Sequence, residues 1–435
     1  MKNLRVDIEI RGVQTHVGNI IGNDFRDAHF RYAEEYLQTP GSVPVSISLP
    51  LQKEIFSVKQ TRNFFEGLLP EGFTRRSVAQ WMRASEEDYL SILAGLGKEC
   101  LGALRITDEN DEAIESAYEK LSMEQVRALA REGAVKSAQL VTESHLSLTG
   151  ASGKVGLYYD KEHNEWFLPK GDAPSTHIVK QSHVRLDGIV INEQLALLTA
   201  AGLGMDVPES FIINVGDYSD EKVLFAIKRY DRIYGARIKT ISGRRVPIRL
   251  HQEDFAQALG IAAADKYEKN QEGYLKAMFD LLRYVSENPV SDQLKLWDMI
   301  IFDYLIGNTD NHIKNFSLLY RDDLKGIRLA PAYDIVSTTV YEGSSRDMAF
   351  HIGGEYRIDR ITRDSIGNAA KEVGLGQKLA MTRFDEMCSR FEAALSEAAG
   401  MLTGIGSQKA AQFQEKILQT GGYGKVICQG KVLDK

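Results

Sequence analysis

The segment Gly307-Asn-Thr-Asp310-Asn-His-Ile-Lys314-Asn315-Phe-Ser317 is the part of the sequence that decides the fold. Asp310 and Asn315 have D-x-x-x-x-N spacing, in which a carboxylate can face an acceptor hydroxyl while an amide oxygen binds Mg²⁺. Lys314 lies between them and could neutralise charge on a transferring phosphoryl group. Because Gly, Asn and Asp also form turns, the motif alone could simply end a helix. It indicates phosphoryl transfer only together with the other parts of an ATP site.

A second acid, Asp334, follows two predicted strands downstream of Asp310, within residues 316–335. A kinase fold returns its metal-binding aspartate at such a place. Mg²⁺ prefers carboxylate and amide oxygens, which Asp334 and Asn315 would supply. Taken alone, a Tyr-Asp pair after a strand is more often a turn than a metal ligand. The prediction of a Mg²⁺ site therefore depends on Asp334 and Asn315 together.

Candidate phosphate-binding groups lie upstream. Lys180 ends the short predicted strand Thr176-His-Ile-Val-Lys180, as a phosphate-pairing lysine would, and Glu193 on the next helix is a candidate partner for it. Before them, Ser147-Leu-Thr-Gly-Ala-Ser-Gly-Lys154 places glycines between two predicted strands, where backbone N–H groups could approach phosphates. This segment is neither G-x-G-x-x-G nor a Walker A motif, so by itself it also fits a hairpin turn.

The composition favours a protein of the reducing cytoplasm. The 435 residues carry a formal net charge of −7, with acids and bases mixed throughout, which argues against a protein that grips nucleic acid alone. No apolar run approaches the length of a membrane span. Cys100, Cys388 and Cys428 are far apart and fit buried free thiols. Motifs for zinc and for a serine hydrolase are absent from the sequence.

The chain divides into a mixed, a strand-rich and a helical part. Residues 1–107 read as a small α/β N-terminal subdomain. Ser122-Met-Glu-Gln125 has capping-box form and predicts a helix to about Glu132. Residues 120–250 are expected to form a strand-rich N-lobe and residues 251–435 a helical C-lobe. This order predicts an α+β, bilobal, protein-kinase-like fold.

Taken together, these segments resemble the HipA family of bacterial toxin kinases. The resemblance covers nearly the whole chain, and the loop around Asp310 is its most specific part. The matching segments are Ser46-Ile-Ser-Leu-Pro-Leu51, Asn63-Phe-Phe-Glu-Gly-Leu-Leu-Pro70, Ser147-x-x-Gly150-Ala-x-x-Lys154, Thr176-His-Ile-Val-Lys180, Arg229-Tyr-Asp-Arg232, Gln252-Glu-Asp254, Thr309-Asp-Asn-His-Ile-Lys-Asn-Phe-Ser317 and Pro331-Ala-Tyr-Asp334.

The resemblance implies a role for each matching residue. Asp310 would be the catalytic base, Asn315 and Asp334 the Mg²⁺ ligands, and Ser147 a site of autophosphorylation that switches the kinase off. The residues implied to bind ATP are Thr149, Gly150, Ala151, Ser152, Gly153, Lys154, Lys180, Lys228, Arg229, Tyr230, His312, Lys314, Asn315, Tyr333 and Asp334, with Lys228 to Tyr230 as the hinge beside the adenine.

The resemblance also implies partners and a substrate. The partner would be a HipB-like helix-turn-helix antitoxin, and the pair would bind operator DNA and repress its own operon. The expected substrate is a protein of translation, in particular an aminoacyl-tRNA synthetase, whose phosphorylation would arrest growth and promote persistence.

Two alternatives stay open at the level of sequence. A small-molecule kinase of the aminoglycoside or choline type shares an Asp-to-Asn catalytic loop. A non-catalytic co-repressor would act only through its antitoxin complex, although it would have no need of Lys180, Asp310, Asn315 and Asp334 together.

Overall fold

The computed structural model describes residues 2–108, 115–144, 153–182, 186–235 and 238–428. The chain forms two compact units that alternate along the sequence. The first unit comprises Met1–His183, Glu221–Ala263 and Leu318–Ile327, and the second comprises Val184–Asp220, Ala264–Ser317 and Arg328–Lys435. The predicted division at 1–107, 120–250 and 251–435 stays a prediction.

An antiparallel four-stranded sheet begins the first unit. The alternation of Val6, Ile8 and Ile10 predicts its first long strand, in which Val6 and Ile8 are fully buried and Ile10 is half-buried. Leu4 on the same strand is also fully buried. In spatial order the strands are His29–Tyr32, Val13–Gly22, Lys2–Ile10 and Leu104–Asp108.

Among the described residues of the first unit, four of the six α-helices begin at side-chain caps, those of Ser57, Asp88, Ser122 and Asp254. Ser57 and Gln60 form a capping box, and Ser122 Oγ accepts a hydrogen bond from Gln125 N at 3.2 Å, as predicted. The helix that follows Ser122 continues to Ser144, so the predicted end near Glu132 was wrong. Leu140 is still buried there, which shows that the packed face extends beyond the expected stop. The helices are Glu34–Gln38, Val58–Phe65, Gly72–Trp81, Tyr89–Leu96, Met123–Ser144 and Phe255–Leu259.

The first unit also contains most of a larger antiparallel sheet. Five of its strands belong to this unit, in the order Ala117–Lys120, Glu165–Lys170, Lys154–Asp160, His177–Gln181 and Val223–Lys228. Val155, Val179 and Phe225 from neighbouring strands are fully buried. Short strands at Arg232–Ile233, Thr240–Ile241, Arg244–Arg245, Ile248–Arg249, Gln252–Asp254, Ser317–Tyr320 and Ile327–Leu329 complete the β structure around it.

A buried cluster of ion pairs lies at the centre of the first unit. Three arginines and three acids, each no more than 7% exposed, take part: Glu9, Glu99, Arg229, Asp231, Arg232 and Arg249. Glu99 is shared between Arg249 Nη2 at 2.7 Å, Arg232 Nη2 at 2.9 Å and Arg229 Nη1 at 3.2 Å. Burial raises the pKa of Glu99, but the guanidinium groups outweigh burial and hold that pKa well below its usual range.

The remaining acids of the cluster bind different arginines. Asp231 pairs with Arg229 at 2.7 Å and with Arg232 at 3.0 Å, while Glu9 pairs with Arg249 at 3.1 Å. The charges therefore balance within the interior, and the contacts join parts of the chain that are up to 240 residues apart.

A separate buried acid, Glu253, anchors the segment that contains Ser46. Glu253 accepts hydrogen bonds from Ser46 Oγ at 2.5 Å, from Ile47 N at 3.1 Å and from the Tyr320 hydroxyl. Burial, opposed only in part by these donors, raises the pKa of Glu253 from 4.5 to about 7.

The second unit is mainly helical. Pro289 occupies the first turn of its central helix, where a missing N–H costs nothing. Trp297 on that helix is fully buried and donates from Nε1 to Ala380 O at 3.1 Å. The helices are Ile189–Gly202, Tyr274–Val285, Pro289–Ile306, Arg363–Glu372, Gln377–Gly404, Lys409–Thr420 and Gly422–Cys428, and the strands are Ser210–Asn214, Asp347–Ile352 and Glu355–Arg357.

Two expectations from composition can be compared with this fold. Cys100 and Cys388 are buried free thiols, as predicted, whereas the side chain of Cys428 lies outside the described residues. No helix in the described part of the chain combines the length and the apolar character needed to cross a membrane.

The Glu99→Gln substitution tests the ion-pair cluster. It keeps the shape of the side chain but removes the negative charge that pairs with Arg229, Arg232 and Arg249. We expect the free energy of unfolding to fall by about 3–5 kcal/mol, because breaking a buried pair leaves an uncompensated charge. Urea unfolding followed by circular dichroism measures the loss.

Glu119→Gln is the matched control, because Glu119 lies in the same unit, pairs with Lys170 at 3.5 Å and has a 59% exposed side chain. An exposed pair of this kind contributes at most about 1 kcal/mol. Equal effects of the two substitutions would show that the buried cluster does not stabilise the unit.

The Glu253→Gln substitution tests the buried acid, because a glutamine resembles the protonated carboxyl. Between pH 4.5 and about 7 the unfolded chain loses this proton while the folded chain keeps it, so wild-type stability falls as the pH rises. We expect the variant to lack this decline and to gain on the order of 3 kcal/mol relative to wild type across that range. Unfolding curves at pH 4.5, 6 and 7.5 measure the difference, and parallel pH dependence of the two proteins would contradict the prediction.

Candidate active site

The loop that contains Asp310 starts where the central helix of the second unit ends. Gly307 has φ +81° and donates its N–H to Asp303 O at 3.1 Å, and Asn308 N donates to the same oxygen at 2.8 Å. A Cβ atom at position 307 would lie 2.1 Å from Thr339 Oγ1. Both the left-handed backbone and the close approach therefore require glycine here.

Buried Asp303 connects this helix to the backbone of Asp310. Asn308 Nδ2 donates to Asp303 Oδ1 at 2.8 Å, and Asn308 Oδ1 accepts from Asp310 N at 3.2 Å. Burial raises the pKa of Asp303 to about 7. The position of Asp310 thus depends on a series of hydrogen bonds that begins at Asp303 inside the helical core and passes through the Asn308 side chain.

Asp310 and Asn315 are held against each other by the loop itself. The carbonyl oxygen of Asp310 accepts from His312 N at 2.9 Å and from Asn315 Nδ2 at 2.9 Å. Because the amide nitrogen of Asn315 is used in this way, its amide oxygen is the end that can serve a metal ion. The Asp310 side chain is exposed, and its Oδ1 accepts a hydrogen bond from the Tyr267 hydroxyl at 2.5 Å.

The segment that carries Asp334 is tied to the same loop. The Tyr333 hydroxyl donates to Lys314 O at 3.1 Å and lies 2.6 Å from Ser317 Oγ. Asp334 itself has φ +56°, a conformation that aspartate tolerates better than most residues but that still costs about 1–3 kcal/mol. These contacts bring the two predicted metal ligands, Asn315 and Asp334, to adjoining parts of one unit.

Two further contacts fix the chain after Asp334. Ser337 exchanges two hydrogen bonds of 2.9 Å with the fully buried side chain of Asn192. Thr338 N donates to Gly307 O at 2.9 Å, and Thr338 Oγ1 accepts from Thr309 N at 2.8 Å. The segment is therefore held at Tyr333 by residues that follow Asp310 and at Thr338 by residues that precede it.

Sequence reasoning missed Tyr267, Asn192 and Asp303. Tyr267 and Asn192 lie 43 and 145 residues from their partners, in no motif, and no local pattern could have indicated them. Asp303 has a weak signal, because an acid on the otherwise apolar end of a helix needs a partner.

Other predicted ATP-binding residues lie in the first unit. Lys154 begins a strand and stands directly opposite Lys180 on the neighbouring antiparallel strand, so both side chains leave the same face of the sheet. They are 9% and 6% exposed. Lys180 Nζ also lies 5.7 Å from the centre of the Phe225 ring.

The predicted hinge is only partly accessible. Lys228 is exposed at the end of its strand, and the Tyr230 hydroxyl hydrogen-bonds to Gln252. The Arg229 side chain belongs to the ion-pair cluster, and the backbone N–H of Arg229 donates to Thr176 O at 2.9 Å. The backbone carbonyl oxygen of Arg229 is therefore the group that could contact a ligand.

The remaining predicted residues are distributed as follows. Gly153 is buried, whereas Ser147 and residues 149–152 lie outside the described part of the chain. His312 and Lys314 are 8% and 6% exposed in the loop after Asp310. Glu193 is buried on the helix Ile189–Gly202 of the second unit, and its pairing with Lys180 stays a prediction.

The donor set of the second unit fits a hard cation. An asparagine oxygen and an aspartate carboxylate are ligands that Mg²⁺ accepts, with water and substrate phosphates completing its shell. Among the described residues no group of three or more His, Cys, Asp or Glu side chains could hold a metal ion by itself.

The fold belongs to the kinase-like α+β class, as predicted. A solved structure of the Shewanella oneidensis MR-1 HipA, HipB and operator DNA complex matches 98% of this chain and 97% of its own chain, with a TM-score of 0.77 and 21% identity. At that identity the likeness concerns the fold alone.

Sequence comparison then gives the family. The chain matches the HipA-like C-terminal domain over residues 146–395 and the HipA N-terminal domain over residues 8–107. This protein therefore belongs to the HipA family, as the resemblance predicted.

Named relatives cover most of the chain. "Putative kinase Y4mE" of Sinorhizobium fredii is 35% identical over 85% of this chain and 87% of its own length. "Serine/threonine-protein kinase toxin HipA" of Shewanella oneidensis is 25% identical over 87% of this chain and 86% of its own. "Putative kinase Y4dM" of Sinorhizobium fredii is 27% identical over 84% of this chain and 85% of its own length. Relatives named as kinases imply the use of ATP, generally with a divalent metal ion.

The Gly307→Ala substitution tests the tight start of the loop. Gly343→Ala is its matched control, because Gly343 has φ +85° but nothing within 4 Å of an added Cβ, whereas Gly307 has φ +81° and the contact with Thr339. We expect the control to lose about 1–2 kcal/mol from backbone strain alone. Gly307→Ala should lose at least about 2 kcal/mol more, measured by thermal unfolding. Equal losses would show that the approach of Thr339 does not constrain the loop.

Proposed function

We propose that this protein is an ATP- and Mg²⁺-dependent serine/threonine protein kinase that acts as the toxin of a toxin–antitoxin pair. The observation that carries the proposal is the loop in which Asp310, Asn315 and the segment of Asp334 are held together by hydrogen bonds from side chains and backbone N–H groups to backbone carbonyl oxygens. Phosphoryl transfer needs groups that are positioned and charged more than it needs covalent chemistry, and this loop supplies such positioning.

The residues of the second unit divide the work of transfer among them. Asp310 would accept the proton of the acceptor hydroxyl, for which its exposed carboxylate is suited. Asn315 and Asp334 would hold the cation. The bound cation would neutralise charge that develops on the phosphates. Lys314 could add positive charge near the transferred group.

The lysines of the first unit would bind the phosphates. Lys154 and Lys180 stand directly opposite each other on neighbouring strands, so two positive charges lie on one face of the sheet. Such a pair of charges would suit the negative charges of a nucleotide polyphosphate. The glycine-containing segment before Lys154, including Thr149 to Ser152, would add backbone N–H donors, and Lys228 to Tyr230 would border the adenine.

The acceptor is proposed to be a serine or threonine of a translation protein, in particular an aminoacyl-tRNA synthetase. Phosphorylation of such a protein would arrest growth and promote persistence. We propose that Ser147 is autophosphorylated, because phosphate beside the phosphate-binding segment would repel ATP and so inactivate the kinase. Family membership and the relative named as a serine/threonine kinase toxin support this proposal.

The partners follow from the same family membership. A HipB-like helix-turn-helix antitoxin would bind this protein, and the pair would bind operator DNA and repress its own operon. The Shewanella oneidensis complex of HipA, HipB and operator DNA supports this proposal by analogy of fold. With a net charge of −7, this chain would leave most DNA contact to the antitoxin.

The Asp310→Gln substitution tests the proposed chemistry. Wild-type protein incubated with Mg²⁺ and ATP should gain one phosphate on Ser147, and Asp310→Gln should gain none, as intact-protein and peptide mass spectrometry would show. The variant should also fail to arrest growth while still folding and binding the antitoxin, since Asp310 contributes its exposed carboxylate and little packing.

Asp359→Gln is the control, because Asp359 is an exposed acid of the same unit that pairs with neighbouring Arg357. It should behave as wild type. Equal growth arrest by Asp310→Gln and wild type would contradict the catalytic role. ATP binding without phosphate transfer to any acceptor in wild type would favour the non-catalytic co-repressor.

A further inference from the structure

Tyr267 makes a contact with Asp310 that no motif of the sequence contains. Its hydroxyl donates to Asp310 Oδ1 at 2.5 Å. The side chain is 42% exposed, so the contact lies at the surface of the second unit, where an acceptor can reach the same carboxylate. A short hydrogen bond to a charged acceptor is among the stronger interactions of this kind.

The backbone on both sides of Tyr267 is fixed. Ile313 N, from the loop that contains Asp310, donates to Lys266 O at 3.4 Å, and Glu268 N donates to Ala349 O at 2.8 Å. The residue before Tyr267 is thus bonded to the catalytic loop and the residue after it to a neighbouring strand.

Glu268 makes this frame rigid. Its buried carboxylate accepts hydrogen bonds from Gly273 N at 2.6 Å, from Tyr274 N at 2.9 Å and from His351 N at 2.8 Å. Three backbone donors from two different segments therefore hold the residue next to Tyr267.

The ring of Tyr267 is also held in place. It packs edge-on against the ring of His312, with centres 5.3 Å apart and planes at 83°. His312 itself is only 8% exposed and belongs to the loop between Asp310 and Asn315. With the backbone and the ring both fixed, the hydroxyl has a set direction towards Asp310.

We propose that Tyr267 is a positioning residue for phosphoryl transfer. By donating to Oδ1, it selects one rotamer of the Asp310 side chain and so fixes the direction in which the carboxylate meets the acceptor hydroxyl. This inference rests on the proposed kinase function. An exposed carboxylate samples more rotamers when fewer neighbours restrain it, and a small misplacement of a catalytic group lowers the rate strongly.

A mobile tyrosine that merely occupied the place of the acceptor hydroxyl would have the opposite effect on the rate of phosphate transfer. Such a tyrosine would compete with the acceptor, and its removal would raise the rate. The hydrogen bonds on both sides of Tyr267 and the packing on His312 favour the positioning role, because a competing side chain has to move away in every cycle.

The test is Tyr267→Phe, which removes the hydroxyl but keeps the ring against His312. We expect kcat for transfer of phosphate from ATP to protein to fall about 10- to 100-fold, the range expected for one hydrogen bond to a charged group. The KM for ATP should stay within about twofold and the thermal unfolding midpoint within about 1 °C, since neither nucleotide binding nor packing depends on the hydroxyl. A purely structural role would change the midpoint or the KM.

Tyr284→Phe is the matched control, because Tyr284 lies on a helix of the same unit and is 92% exposed. It should match wild type in all three quantities. An unchanged or increased kcat in Tyr267→Phe, or a lowered unfolding midpoint, would overturn the proposal. Absence of phosphate transfer in wild type would instead refute the proposed function, so the two failures are distinguishable.

Discussion

Six buried charges at the centre of the first unit constrain much of its structure. A charge in the protein interior is costly unless it is paired and hydrogen-bonded, and each of these six is paired within 3.2 Å. The cluster joins the first strand through Glu9, the segment after the helix Tyr89–Leu96 through Glu99, the segment Arg229–Arg232 and the strand that contains Arg249. Removal of one member would leave a buried charge uncompensated, so the cluster ties these segments together in the folded unit.

The second unit uses a different principle to hold its candidate catalytic loop. Most of the contacts there are neutral hydrogen bonds between side chains and the backbone, as those of Asn192, Asn308 and Asn315 show. Such bonds fix position without placing another full charge beside the proposed metal ligands. A loop held in this way has the preorganisation that the proposed catalysis requires.

Sequence patterns predicted those parts of the fold that depend on neighbours along the chain. The alternation at Val6, Ile8 and Ile10, the capping box at Ser122 and the helix that precedes Gly307 are all local signals, and the structure contains the strand, the cap and the helix. The end of the helix Met123–Ser144 was predicted wrongly, because tertiary packing of Leu140 outweighs the weaker local preference. Arg229 was interpreted as part of a hinge, and its side chain is held in the interior by ion pairs with Glu99 and Asp231. The pair with Glu99 could not be read from the local sequence.

By itself, the sequence determined the residue types and spacing of the candidate site, since D-x-x-x-x-N and the later Tyr-Asp depend only on order along the chain. It also determined the family, because the matching segments span nearly its whole length. Only the tertiary structure decided which groups support that site. Tyr267 and Asn192 act through contacts that the folding of distant segments creates. Asp303 acts through Asn308, five residues along the chain, but its burial in the helical core is also a property of the tertiary structure. Hydrogen bonds of this kind depend on distances in space, which the order of residues does not specify.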